Sequence, residues 1–252
     1  MSGHSKWSTI KHKKASADAK RGRLFTRLIR ETTIATRLGG GDPASNPRLR
    51  TAIQDAKGNN VPNDTIERAV KKGIGELGGD VVEEVVYEGY ASGGVAVLVE
   101  AATDNRNRTA SEVRHAFSKH GGNLGESGCV NWMFQKRGYF AFDSSAMSED
   151  AFMELVLELG AEDFAADSHH YEIFTSMEDY VQVREDLEKK EVAVDLQELS
   201  MVPQTYVALG EKALPQVLQL LEALEDLDDV QNVWANFDAD EKVMARLADP
   251  RP

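Results

Sequence analysis

A single cysteine, Cys129, leaves this chain of 252 residues without a partner for an internal disulfide and without a cysteine cluster for zinc. Long apolar runs are also missing. Nothing approaches the roughly 18 residues that a membrane span needs, and the N-terminus lacks the apolar core of a secretory signal. With 41% apolar and 28% charged residues the chain reads as soluble and globular, with a reducing cytoplasm as its expected compartment and no membrane partner. Patterns that carry chemistry are equally sparse. His115 and His120 stand five apart, off one helical face, and His169 and His170 are adjacent, so neither pair has metal-ligand spacing. Gly73 to Gly78 fit G-x-G-x-x-G, but they follow a helical run and include Glu76, which would repel a pyrophosphate, so they read as a linker. No motif places a histidine and an acid beside Cys129, which reads as a buried structural thiol. Glu154, Glu158, Glu185, Glu188, Glu222 and Glu225 fall on solvated helix faces. With no nucleophile, acid–base pair or phosphate loop, the expectation is a protein that is not an enzyme and uses no cofactor, metal or small-molecule substrate.

What the chain has is segregated charge. Its formal net charge is -13, yet residues 1 to 75 hold 16 Lys or Arg against 6 Asp or Glu, and the remainder holds 13 against 36. A head of +10 on a remainder of -23 points to nucleic-acid contact by the basic part. The density peaks between residues 3 and 37, where Lys6, Lys11, Lys13, Lys14, Lys20, Arg21, Arg23, Arg27, Arg30 and Arg37 meet only Asp18 and Glu31.

Periodicity divides the rest. From Ala15, Leu24, Phe25, Leu28, Ile29, Ala35 and Leu38 recur at helical spacing, with Lys20, Arg23, Arg27, Arg30 and Arg37 on the opposite arc, predicting a helix that packs on one side and stays wet and cationic on the other. Gly39 to Gly41 stop it. Asn46 before Pro47 predicts an N-cap and a second helix to about Lys57, and a third follows Pro62 and ends at Gly73. From Val81 the period becomes that of strands. A hairpin turns through Ala91-Ser92-Gly93-Gly94, a helix starts near Asn105 to Thr109, and CVNWMF is a strand that Lys136-Arg137-Gly138 turns into YFAFD. Residues 139 to 199 then follow the order β-α-β-β-α-β, the ferredoxin-like arrangement. TYVAL, a helix over about 211 to 227 and the strand VQNVWANFD supply elements that the 81–134 region lacks.

The predicted architecture is therefore α+β: an N-terminal three-helix basic domain (1–80) followed by two α+β, ferredoxin-like domains, the third (135–201) inserted into the second (81–134 plus 202–240). Candidate nucleic-acid-binding residues are His4, Lys6, Trp7, Lys11, Lys13, Lys14, Lys20, Arg21, Arg23, Arg27 and Arg30, whose cations would neutralise phosphates without reading sequence. Trp7 offers a face on which an unstacked base could lie, or else packs the N-terminal segment onto the bundle. Arg106 and Arg108, where a strand meets a helix N-terminus, would join free backbone N–H groups in holding an anion, or else are exposed loop arginines. Reversing Arg23, Arg27 and Arg30 to glutamate is expected to abolish binding with the fold intact.

GHSKWSTIKHKKASADAKRGRLFTRLIRE, LGGGDPASNPRLRTAI, VPNDTIERAVKKG, YEGYASGGVAVLVEAATDNRNRT and EVRHAFSKHGGNLGESGCVNWMF closely resemble, in that order, the motifs of the YebC/PmpR family, to which a mitochondrial translational activator of cytochrome oxidase is related. The chain departs at Ala91-Ser92, where a proline is expected before the two glycines. The resemblance implies three domains, a helical one and two α+β ones, in a non-enzymatic cytoplasmic protein of bacterial gene expression. Members have been described as DNA-binding transcriptional regulators and as ribosome-associated translation factors that help synthesis through proline-rich stretches. The expected partner is accordingly ribosomal RNA and the ribosome, or promoter DNA.

Overall fold

Three helices open the described part of the chain, each bounded by a local signal. The computed structural model describes residues 17–78, 81–166 and 170–239. Helix α1 (Ala17–Gly39) ends where Gly40 takes a left-handed φ of 86°. Helix α2 (Pro47–Gly58) starts on Asn46, whose side chain accepts from Leu49 N at 3.1 Å. The same amide donates to Ala35 O at 2.7 Å and Gly40 O at 2.8 Å, so one cap residue starts α2 and fastens it to the end of α1. Helix α3 (Asn63–Gly73) closes against α1 at Gly73, where a Cβ would lie 2.6 Å from Thr36 Cβ and 2.7 Å from Thr33 O.

Packing on α1 differs from the apolar stripe expected. Its most buried run is Thr32 to Thr36, and Thr32, Thr33 and Thr36 hide their hydroxyls by donating to the carbonyls of Leu28, Ile29 and Thr32. Phe25, Leu28 and Ile29 pack partly buried around Ala56, Val61 and Ile66, whereas Leu24 and Leu38 are exposed.

Strands β1 (Glu83–Ala91) and β2 (Val95–Thr103) form the expected hairpin, and Gly93 and Gly94 both take positive φ in its loop. Ser92, of the Ala91-Ser92 pair at which the chain departs from the family pattern, donates to Gln216 Oε1 at 2.9 Å and to Gly121 O. Helix α4 (Arg106–Lys119) and β3 (Asn123–Leu124) follow. Then come β4 (Phe134–Asp143), α5 (Glu149–Leu159), β5 (Asp163–Ala166), β6 (His170–Thr175), α6 (Tyr180–Lys189), β7 (Leu196–Pro203), β8 (Val207–Leu209), α7 (Leu214–Glu225), β9 (Val230–Ala235) and β10 (Phe237–Ala239). Seven α-helices and two four-stranded sheets among the described residues make an α+β protein.

The chain divides into two units. One comprises residues 15–129 and 215–233 and holds the three helices together with the sheet β3-β1-β2-β9. Gly89 in β1 lets Phe117 of α4 approach the sheet, since a Cβ there would stand 2.8 Å from its ring. Leu220 of α7 reaches the same region beside Gly122, and Leu220, Leu221 and Leu224 are fully buried.

The described part of the other unit is residues 130–166, 170–214 and 234–239. Its sheet runs β5-β6-β4-β7 and is antiparallel throughout, the ferredoxin-like order for a β-α-β-β-α-β chain. Phe140, Phe142, Phe152, Tyr171 and Ile173 fill its core, with Phe152 stacked on Tyr171 at 4.4 Å between centroids. The turn expected at Lys136-Arg137-Gly138 does not exist. β4 runs through it, and Asn131–Met133 form a 3-10 turn before it. Gly138 is there because a Cβ would collide with Thr175 Oγ1 and lie 2.9 Å from the Tyr180 ring.

Candidate nucleic-acid interface

His4, Lys6, Trp7, Lys11, Lys13 and Lys14 lie outside the described residues, and Lys20 and Arg21 stand on the first turns of α1. The remaining candidates on α1 are engaged. Arg23, Arg27 and Arg30 share one face at spacings of four and three residues, and that face meets the acidic run Glu225 to Asp229, which begins at the last residue of α7. Arg23 pairs with Asp226. Arg27 donates to Glu225 O at 2.7 Å, and Arg30 donates to Asp228 O and pairs with Asp229 Oδ1 at 2.9 Å. Burial first, and then the neighbouring Arg23, lower the Arg27 pKa, with Asp226 opposing. The wet cationic face expected for α1 is thus a fastening in its central part. Glutamates at 23, 27 and 30 would set like charges against the same acids, so the reversal should disturb this packing as well as any binding.

Asp229 is the centre of that fastening. Its side chain is only 2% exposed and accepts from Thr109 Oγ1 at 2.6 Å, Thr103 Oγ1 at 3.1 Å and Arg108 at 2.6 Å, in addition to Arg30. Burial alone would push this carboxyl up. The bonds from Thr109 and Arg108 and the charge of Arg30 outweigh it and hold the group below the ordinary carboxylate range. Arg108 also pairs with Asp104 at 3.0 Å, so both of its carboxylates raise its own pKa. The anion pocket expected at the start of α4 is therefore filled from within: Asn105 caps the helix by accepting from Arg108 N at 3.1 Å, and Asp229 holds the guanidinium. Arg106 stands exposed, 3.8 Å from Glu83.

A second fastening was not anticipated. Arg48 of α2 donates two bonds to Glu31 of α1, at 2.7 and 2.9 Å, and also pairs with Glu84 of β1. The sequence signal was available in Glu225-Asp226-Leu227-Asp228-Asp229, an acid run complementary to the arginines of α1.

A different set of cations stays in solvent. Arg50 and Lys57 on α2, and Arg68, Lys71 and Lys72 on α3, are exposed and make no ion pair among the described residues. Cys129 is half-buried, and burial pushes its thiol up. Among the described residues no group of His, Cys, Asp and Glu is arranged to hold a metal ion, and no helix is long and apolar enough to cross a membrane.

Known proteins share this architecture along its length. Residues 5–76 match the model of the TACO1/YebC protein N-terminal domain, and residues 82–237 that of the TACO1/YebC second and third domain. A protein of Syntrophobacter fumaroxidans named "Probable transcriptional regulatory protein" is 54% identical, over 98% of this chain and all of its own. One of the same name from Trichlorobacter lovleyi is 55% identical over the same shares. The crystal structure of a conserved hypothetical protein from Aquifex aeolicus superposes with a TM-score of 0.84 at 53% identity, covering 94% of this chain and 98% of that one. The chain belongs to the TACO1/YebC family.

Proposed function

We propose that the protein is a non-enzymatic, nucleic-acid-binding factor of gene expression that acts on the ribosome, where it binds ribosomal RNA and helps synthesis through proline-rich stretches. The observation that carries the reading is the segregation of charge, +10 in the first 75 residues against -23 in the rest. Such a head attracts any phosphate polymer, while the acidic remainder resists non-specific coating by it. The basic N-terminal stretch with His4, Lys6, Trp7, Lys11, Lys13 and Lys14, continued by Lys20 and Arg21, supplies charge and one aromatic face, a combination suited to folded RNA, which is read by shape, backbone and stacking. The site of action in this reading is the cytoplasm.

A second reading, a DNA-binding transcriptional regulator, is favoured by the names its relatives carry. Against it, cations of this kind suit phosphates better than base edges. Sedimentation separates the two. Co-migration with ribosomes at low salt, with promoter DNA bound no better than random DNA of equal length, supports the first. A defined footprint on promoter DNA that survives competitor DNA, without ribosome association, refutes it. Ribosome profiling of a deletion strain then tests the finer claim, which requires pauses at consecutive prolines with unchanged transcript levels.

A further inference from the structure

Four of the arginines that sequence alone assigned to phosphate, Arg23, Arg27, Arg30 and Arg108, are committed elsewhere, so the question is which cations of the helical region are left. Arg23 and Arg30 sit on Asp226 and Asp229, Arg48 on Glu31 and Glu84, and Arg108 on Asp104 and Asp229. Arg50, Lys57, Arg68, Lys71 and Lys72 make no such pair among the described residues; Arg50 makes only a long bond of 3.4 Å to Pro43 O.

Their placement is not scattered. Arg50 and Lys57 are seven residues apart, two turns along the same edge of α2, whose packed side is Leu49, Ala52 and Ala56. Arg68, Lys71 and Lys72 have the i, i+3, i+4 spacing of one face of α3, turned away from the buried Ile66 and Ala69. The first turn of α2 and the last turn of α3 meet the same end of α1: Asn46 bonds to Ala35 and Gly40, Gly73 abuts Thr33 and Thr36, and a Cβ on Gly41 would touch Ile74 at 3.1 Å. Arg50, Lys71 and Lys72 therefore gather toward one end of the bundle.

We infer that the exposed faces of α2 and α3, through Arg50, Lys57, Arg68, Lys71 and Lys72, form a docking surface for the phosphate backbone of a nucleic acid, while the arginines of α1 hold the helices to the α+β body. The inference rests on the nucleic-acid reading above and deepens it. An acidic protein is the competing partner, and the surface is poorly built for one. On α2 and α3 themselves no large apolar side chain is exposed, the exposed Leu38, Ile74 and Leu77 lying outside these two helices, so a protein laid along these faces would lack the buried anchor from which affinity comes. A polyanion needs no such anchor, because release of its counterions supplies the free energy. Nor do the five cations leave a carboxylate to find phosphate, since they have no ion pair among the described residues to break.

The test uses the full chain and two probes, a short RNA hairpin and a duplex DNA, with binding read by fluorescence anisotropy over about 50 to about 200 mM KCl. Wild type is compared with K57Q/R68Q/K71Q/K72Q, which removes four exposed charges and no ion pair. Expected are at least a tenfold loss of affinity for the preferred probe and a plot of log K against log salt that is shallower by roughly 3, at about 0.7 to 0.9 per phosphate released. Arg23→Gln, which loses only the pair with Asp226, should leave that slope unchanged. A folded quadruple variant with wild-type affinity and slope overturns the assignment but not the proposed function, provided that wild type binds and a K11Q/K13Q/K14Q variant does not. Wild type that ignores both probes overturns both. Displacement of RNA by polyglutamate as effective as by RNA itself would give the surface to an acidic protein and also overturn the inference.

Discussion

Substitution of Asp229 should loosen the attachment of the helical region more than any other single change there. Asp229→Ala removes the acceptor for two hydroxyls, Thr103 and Thr109, that are 1% and 0% exposed, and for Arg30 and Arg108, whose side chains are 23% and 43% exposed. Each buried hydroxyl left without this acceptor costs about 1 kcal/mol, moderated at Thr109 by its alternative acceptors Thr103 Oγ1 and Asn105 O. Breaking a fully buried ion pair costs about 3–5 kcal/mol, and the partial exposure of both arginines cuts that well below its full value. A total near 3 kcal/mol follows for alanine, and about 2 kcal/mol for asparagine, which keeps one acceptor but loses the charge. In a chain of this size 1 kcal/mol is worth about 2–4 °C, so Asp229→Ala should melt roughly 6–12 °C early. Urea denaturation followed by circular dichroism gives the free energy directly. The pH dependence adds a second handle. Because the folded carboxyl titrates below its unfolded value, its contribution is fully present above the ordinary carboxylate pKa of about 4 and is lost as pH falls through the folded value. The gap between wild type and Asp229→Asn should therefore be constant from neutrality to about pH 5 and should close below about pH 4. A gap under about 0.5 kcal/mol at pH 7, the level of an ordinary surface change, would refute the reasoning.

Three further outcomes are expected. Arg30→Lys should behave as a disruption, losing about 1–2 kcal/mol in the same urea titration, because an ammonium cannot span Asp228 O and Asp229 Oδ1 as the planar fork does. Asn46→Ala should cost about 2 kcal/mol, since it removes an N-cap bond and leaves Ala35 O and Gly40 O without their donor, and Asn46→Asp, which keeps only the cap, should recover part of it. Gly138→Ala should destabilise the unit of residues 130–214 by about 1–3 kcal/mol through the clash with Thr175 and Tyr180, seen as a lowered calorimetric transition; Thr175→Ser should relieve none of it, because the colliding hydroxyl remains.

Local signals were legible in the sequence and distant ones were not. Asn46-Pro47 announced α2, because a cap is a contact between near neighbours in the chain. Lys136-Arg137-Gly138 misled for the opposite reason. A glycine between two strand-like runs reads as a turn, but this one yields space to Thr175 and Tyr180, partners that no local window contains. The stripe on α1 held only in part: Phe25, Leu28, Ile29 and Ala35 pack, but helical spacing does not reveal that Leu24 and Leu38 stay exposed, nor that Thr32, Thr33 and Thr36 are buried by satisfying themselves within the helix. Most instructive are the arginines. Their density and spacing on α1 suggested a surface for phosphate, whereas Arg23 finds Asp226 at a separation of 203 residues.

Residue type then separates fastening from docking. Every cation seen to hold the helical region in place is an arginine: Arg23, Arg27, Arg30, Arg37 and Arg48, with Arg108 completing the cluster at Asp229. Three of the five left in solvent are lysines. A planar guanidinium suits the first task, because it must meet carboxylates and backbone carbonyls at fixed angles, and Arg27 and Arg30 each meet a carbonyl. A hydrated ammonium on a flexible stem suits the second, because a phosphate backbone of no fixed sequence presents no fixed angle. In a chain of net charge -13 both tasks are needed, since cations that were all loose would have acidic surface to settle on in many registers. Burying one carboxylate, Asp229, beneath two hydroxyls and two guanidinium groups selects a single register for α1 and leaves α2 and α3 to face outward.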